Sequence, residues 1–232
     1  MFRLHRRPLH AAALLLALQA TPLAAQMLHI PQYTGTPLLV TGGVLDQQVL
    51  QDAGRKAPAA GPPREATVVP VAGPPQAPGL LARAYPAARR GEAERLFADL
   101  LQRYRTIEQR FDIPHRDLAG ALAAFIAGNH MAFHGAPFPD AHFKPLVAQM
   151  RRLLAAQPGL ARAPAAERQQ AWEQLAILGM FMAGAQIAQQ RQPDAQQAVR
   201  LREAGGANLQ RLLAVAPDQV LIGPQGLALA GR

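Results

Sequence analysis

The chain has 232 residues, none of them cysteine or serine, which rules out disulfide staples, thiolate chemistry and the commonest hydroxyl nucleophile. Its formal charge is +9, to which Arg3, Arg6 and Arg7 contribute three, and all of its 24 basic residues except Lys56 and Lys144 are arginine. These arginines alternate with acids and form no block of like charge, so a nucleic-acid partner is not expected.

The chain opens on a secretory signal. Residues 1–10 carry three arginines and no acid, residues 11–18 are almost wholly apolar, and Leu23-Ala24-Ala25 offers small residues for cleavage. The apolar run falls short of the roughly 20 residues a spanning helix needs. Residues 1–25 are therefore expected to be removed, leaving a periplasmic or secreted chain from Gln26 with no transmembrane segment. A tether follows. Ten prolines and eight glycines lie between residues 31 and 91, a density that defeats helix and strand interiors. Residues 26–86 are accordingly expected to form a Pro/Gly-rich, largely irregular arm of low order. Within it, residues 37–40 and 44–53 have the character of short docking pieces, and residues 67–71 are extended, limited to an edge by Pro70.

From residue 87 to residue 232 the texture is that of a helical domain with a short extended tail. Apolar residues recur at three- and four-residue spacing, with proline or glycine between segments. A first helix, about residues 88–110, places Leu96, Phe97, Leu100, Leu101, Tyr104 and Ile107 on one face. A second, introduced by Pro114 and ended by Gly135, carries Leu118, Leu122, Phe125, Ile126, Asn129 and Phe133. The third presents Leu146, Val147, Met150, Leu153 and Leu154 and stops before Pro158. The fourth starts near Pro164 and carries Trp172, Leu175, Ala176, Gly179, Met182, Ala183 and Ile187. The fifth follows Pro193-Asp194, with Val199, Leu209, Leu212 and Leu213 facing inward. Residues 220–222 suit a short strand. The fold class expected is mainly α: a five-helix orthogonal or up-down bundle.

Residues 175–187 are apolar nearly all round, yet only 13 residues long and bounded by Glu173 and Gln189. They read as the buried helix of a bundle rather than a membrane span. Gly179 and Gly184 within this run suit close helix approach, which offsets their propensity cost of about 1 kcal/mol each.

The helical half resembles an uncharacterised family of exported, mostly Gram-negative bacterial proteins built on a domain of unknown function. The features that carry the resemblance are Tyr85-Pro86, the run Asp117-Leu118-Ala119-Gly120-Ala121-Leu122-Ala123-Ala124-Phe125 leading to Asn129, the segment Gln169-Gln170-Ala171-Trp172-Glu173-Gln174-Leu175-Ala176, and Gly226-Leu227-Ala228-Leu229. The resemblance implies a helical fold and brings no activity, cofactor or catalytic residue with it.

Two places merit attention as sites. His130 and His134 stand at i and i+4, so both imidazoles can face one ion. The position of the glutamate in the zinc-peptidase helix motif is Met131, which removes the general base of that chemistry. A non-catalytic zinc or copper site would recruit His142 or Asp140, with Met131 as a softer ligand. The second place is Asn129, on the apolar stripe of its helix. A buried amide needs partners, and Gln170, Glu173 and Gln186 of the fourth helix are the polar residues expected to supply them. That group is read first as a register-fixing network and second as a small-ligand site. Asp112 and Asp117 flank Pro114 at a helix start, where capping explains them.

With no serine or cysteine, one threonine (Thr106) and one lysine (Lys144) after Tyr85, covalent catalysis has almost no nucleophile. The chain is therefore expected to be a non-enzymatic accessory protein with no resident cofactor, meeting an envelope or secreted protein partner. The alternative is a ligand- or metal-binding helical module using Asn129, His130 and His134.

Overall fold

The computed structural model describes residues 63–230. The signal, most of the arm and the pieces at 37–40 and 44–53 lie outside the described residues. The described chain is mainly helical, with seven α-helices: α1 (Ala77–Ala82), α2 (Arg90–Arg110), α3 (Leu118–His134), α4 (Phe143–Ala155), α5 (Pro158–Arg162), α6 (Ala165–Arg191) and α7 (Ala195–Leu213). Two strands, β1 (Val220–Gly223) and β2 (Gly226–Leu229), close the described chain as an antiparallel hairpin. The five longer helices fall where the apolar periodicity placed them, and α1 and α5 are single-turn additions, each with proline in its first turn.

Helix α3 is the axis of the fold. Asp117 caps its N-terminus, accepting from the Ala119 N–H at 3.0 Å. Gly135 ends it in the left-handed conformation, φ +66°, its N–H returning to the Met131 carbonyl. Between these caps every residue from Leu118 to Asn129 is buried, as expected of a helix that is apolar on all sides. It packs most extensively against α6, then against α7 and α4. At the α6 crossing the backbones touch: a Cβ on Gly128 would lie 2.3 Å from the Gly179 carbonyl oxygen, and one on Gly179 would lie 2.6 Å from the Ala124 carbonyl carbon. Gly205 admits α7 in the same way, its missing Cβ standing 2.7 Å from the Asn129 carbonyl oxygen.

The aromatic residues join the remaining layers. Phe97 of α2 meets Phe181 of α6 at 6.1 Å between ring centroids, and Tyr104 meets Trp172 edge-on at 6.3 Å. Phe111 and Phe143 bring the end of α2 onto α4 at 4.6 Å. One inward assignment fails. Val199 is 56% exposed, because the buried stripe of α7 runs Leu201, Gly205, Leu209, Leu212, and a position two residues before Leu201 is turned about 200° from it.

The hairpin pairs Val220 with Leu229 and Ile222 with Leu227. Gln149 of α4 holds it as another strand would, donating from Nε2 to the Leu227 carbonyl at 2.8 Å and accepting the Leu227 N–H at 2.6 Å. Gly226, at φ +98°, leaves room for that amide, since a Cβ there would meet Gln149 Oε1 at 2.5 Å.

Residues 63–86 depart from the low order expected of the arm. They form a strap laid on the helices, with Val69, Ala77, Leu81, Ala82 and Tyr85 buried and Tyr85 edge-on to Phe97 at 5.9 Å. The extended piece at 67–71 makes an antiparallel bridge, Val68 to Asp117. Its hydrogen bonds run from Val69 N–H to the Arg116 carbonyl and from Leu118 N–H to the Thr67 carbonyl, both 3.0 Å. Apart from the single turn of α1, the strap has no helix or sheet of its own, and much of its backbone is satisfied by side chains and main chain of the body.

Candidate functional site

The seam beneath the strap is a polar assembly built on two residues of α6, Gln169 and Glu173. Glu173, 1% exposed on α6, accepts from the Gln76 and Ala77 N–H groups, both at 2.9 Å, and from Gln169 Nε2 at 2.7 Å. Gln169, one turn earlier, is saturated: its oxygen accepts the Ala72 N–H at 2.6 Å and Arg116 at 3.2 Å, and its nitrogen also donates to the Gly73 carbonyl at 2.9 Å. With Gln170 these side chains line a cleft of about 110 Å³ roofed by Ala72, Gly73 and Pro74. Replacing Glu173 by alanine strands the buried Ala77 N–H and the partly buried Gln76 N–H, at about 1–3 kcal/mol. The expected result is selective exposure of the strap: amide exchange and proteolysis rise at residues 72–77 while α3 and α6 keep their protection.

A second anchor lies on Asp117, which is fully buried. Beyond capping α3 it accepts from the Thr67 hydroxyl and from the Arg151 guanidinium of α4. Arg116 beside it donates to the Pro70 carbonyl. Asp112, expected as a capping acid, instead pairs with Arg64 of the strap at 2.7 Å.

The expected network of Asn129 with Gln170, Glu173 and Gln186 divides. Gln170 and Glu173 belong to the strap cleft. Asn129 donates to the Phe125 carbonyl at 2.8 Å and accepts from Asn208 of α7 at 2.9 Å. Its oxygen faces α7 because Gly205 lets that helix close on the same turn of α3. Gln186 is buried farther along α6, outside both groups.

Sequence reasoning missed the corner between α2 and α3. Glu108, 3% exposed, bonds His115 Nδ1 at 2.6 Å and accepts the Arg116 N–H at 2.8 Å. Burial pushes its carboxyl up, and the hydrogen bonds from His115 and Arg116 hold it partly back. The loop reaches this geometry through two left-handed residues, Asp112 at φ +54° and Arg116 at φ +66°, conformations that cost about 1–3 kcal/mol each. His115 stands edge-on to Trp172 at 5.9 Å, and the Arg116 guanidinium lies 5.7 Å from the centre of that ring. Beneath them the Tyr104 hydroxyl and Trp172 N–H are buried and meet no protein partner among the described residues. Burial, with the Glu108 and Asp117 charges, pushes the Tyr104 phenol up. Another cleft, of about 270 Å³, opens between strap residues 66–69, Leu154, Leu160 and Arg168.

The histidine pair closes the far end of α3. The His130 and His134 rings stand 4.2 Å apart at 45°. His142 does not join them as a third ligand: the Phe138 ring contacts both, edge-on, at 6.3 Å from His130 and 6.4 Å from His142. Among the described residues, no group of three His, Cys, Asp or Glu side chains is placed to hold a metal ion. Burial, then the neighbouring His134, pushes His130 down to about 4, so it is neutral in the fold at pH 7 and readily protonated once unfolded. Its contribution is present above the ordinary value of 6.5 and is lost as pH falls through 4. A shift of this size is worth about 3 kcal/mol unscreened, and solvent at the open edge of the ring reduces it to about 1–2 kcal/mol. The unfolding free energy of the natural protein minus that of His130→Gln should therefore fall by that amount between pH 7 and pH 4, measured by urea denaturation.

Fold and sites together describe a mainly helical protein, in which no helix among the described residues is long and apolar enough to cross a membrane. Its buried acids serve its own architecture. The chain belongs to a family of unknown function, DUF6683, whose model matches residues 5–230. No curated protein and no solved structure matches it.

Proposed function

We propose that this protein is an exported, non-enzymatic accessory protein of the periplasm or cell exterior, released from its signal peptide and acting through contact with an envelope or secreted protein. The five long helices serve as a bundle that presents the strap and the chain preceding it. The observation that carries the reading is the use made of the buried carboxylates. Glu108, Asp117 and Glu173 each spend their acceptor oxygens on backbone N–H groups, a hydroxyl, or fixed side chains of the chain itself, and this holds even for Glu173, which lines the strap cleft. The missing serine and cysteine support the same reading from the sequence. Exposed apolar residues on the strap and on the outer elements, Val71 at 76%, Val199 at 56% and Leu221 at 51%, are small contact points suited to a protein partner.

The test is crosslinking of the full chain in its native envelope, followed by mass spectrometry of the purified adduct. A single partner recovered in fixed stoichiometry, and lost when Val71 is replaced by Asp, is the expected result. Recovery of the chain alone, or turnover of a substrate by the purified protein, overturns the proposal.

A further inference from the structure

We infer that His130 and His134 form a two-nitrogen chelate for a late first-row divalent ion, copper(II) foremost, on the last turn of α3. Three observations on different levels converge there. The first is geometric. An i, i+4 pair puts both rings on one face, and the centroids are 4.2 Å apart, within reach of one shared ion at nitrogen bond lengths near 2.0 Å. The rings are also held: Phe133 stands edge-on to His134 at 4.9 Å and Phe138 edge-on to His130 at 6.3 Å. A pair confined before the ion arrives loses less side-chain freedom on binding.

The second observation is chemical. The hydrogen bonds among the described residues leave the nitrogens of both rings unengaged, so no protein contact has to break when a metal binds. Both rings are biased by their surroundings toward the neutral, ligating form. Imidazole nitrogen suits copper and zinc, whereas magnesium and calcium require oxygen donors. Among the described residues no carboxylate joins the pair, and the Arg202 guanidinium, 5.1 Å from the Phe133 ring centre, repels any cation, so binding rests on the imidazole nitrogens and favours ions that prefer them.

The third is its position. The pair occupies the C-terminal turn of α3, where the unpaired carbonyls and the helix dipole favour a cation, and Gly135 turns the chain away so that the end stays open. His134 is exposed and His130 half-buried, so the ion would be reached from solvent and would keep open positions for water or a further ligand. This inference goes beyond the accessory reading and does not depend on it.

Copper(II) titration of the full chain, followed by electron paramagnetic resonance, tests it. The expected outcome is one bound copper(II) showing hyperfine structure from two imidazole nitrogens. That signature should be lost in His130→Ala and in His134→Ala, and unchanged in His142→Ala. Zinc(II) should compete less effectively, following the order of divalent affinities, and magnesium should not compete. The His134→Ala variant removes an exposed side chain and keeps the fold, so its loss of signal reports ligation. Retention of the two-nitrogen signature in His134→Ala, its disappearance in His142→Ala, or no copper bound at all would overturn the inference.

Discussion

Alanine at Gly128 or Gly179 is expected to lower the unfolding free energy by about 3 kcal/mol or more, the upper end of what overpacking costs. Most overpacked sites relax by moving the far end of a side chain. Here the obstacle is main chain on both sides: the Gly179 carbonyl oxygen 2.3 Å from a Cβ on Gly128, and the Ala124 carbonyl carbon 2.6 Å from a Cβ on Gly179. The only relief is to push α3 and α6 apart. That separation would loosen the central contacts of Phe125 and Leu175, both fully buried. Gly223→Ala is the matched control, because no atom lies within 4 Å of its added Cβ and its φ is not in the left-handed range. Urea denaturation of the three variants should show the first two strongly shifted and the third within about 0.5 kcal/mol of the natural protein. Equal effects at all three positions would mean that the crossing is not held backbone to backbone.

Asp117→Ala is expected to cost about 3–5 kcal/mol, the range for breaking a buried ion pair from one side. Its carboxylate is fully buried and meets three structural units at once: the strap through Thr67, its own helix through the Ala119 N–H, and α4 through Arg151. Alanine would leave Arg151, whose side chain is 15% exposed, without its anion. Adding Arg151→Met should therefore recover part of the loss, since the second change removes the stranded charge. Amide exchange gives the spatial signature: Val69 and Leu118, whose N–H groups make the bridge to the strap, should lose protection before the middle of α3. A simple additive penalty in the double variant would assign Asp117 to capping alone.

Much of the helical half was legible because its signals are local. Apolar spacing and punctuation by Pro114, Gly135, Pro158, Pro164 and Asp194 locate the five longer helices within a few residues. The all-apolar character of residues 175–187 foretold a buried helix, whereas residues 118–129 were read as a single stripe and are buried on every side. What escaped the sequence was long-range. Nothing in a proline-rich stretch states that Gln169 and Glu173, about 96 positions later, will satisfy its backbone. The polar-then-apolar run around Gln169 and Trp172 marked the segment without revealing what it fastens. Asn129 shows the same limit, since its burial was readable and its partner was not. The partners expected were on the fourth helix, whereas Asn208 of α7 supplies the contact because Gly205 lets α7 approach. Glu108, His115 and Arg116 carried no motif, because their encounter depends on two left-handed residues, neither of which is glycine. For the histidine pair, spacing was sufficient to bring His130 and His134 together. His142 stays apart from them, with the Phe138 ring edge-on to both His130 and His142.

The strap also sets the order in which the chain becomes whole. A ribosome makes residues 72–77 well before Gln169 and Glu173, and at ordinary elongation rates the delay is about 5–20 s. Through that interval the early segment has no acceptor for its backbone and stays open to handling by whatever machinery accompanies the nascent chain. Closure at residues 72–77 therefore waits for α6, the last of its partners to be made, with only α7 and the hairpin still to follow.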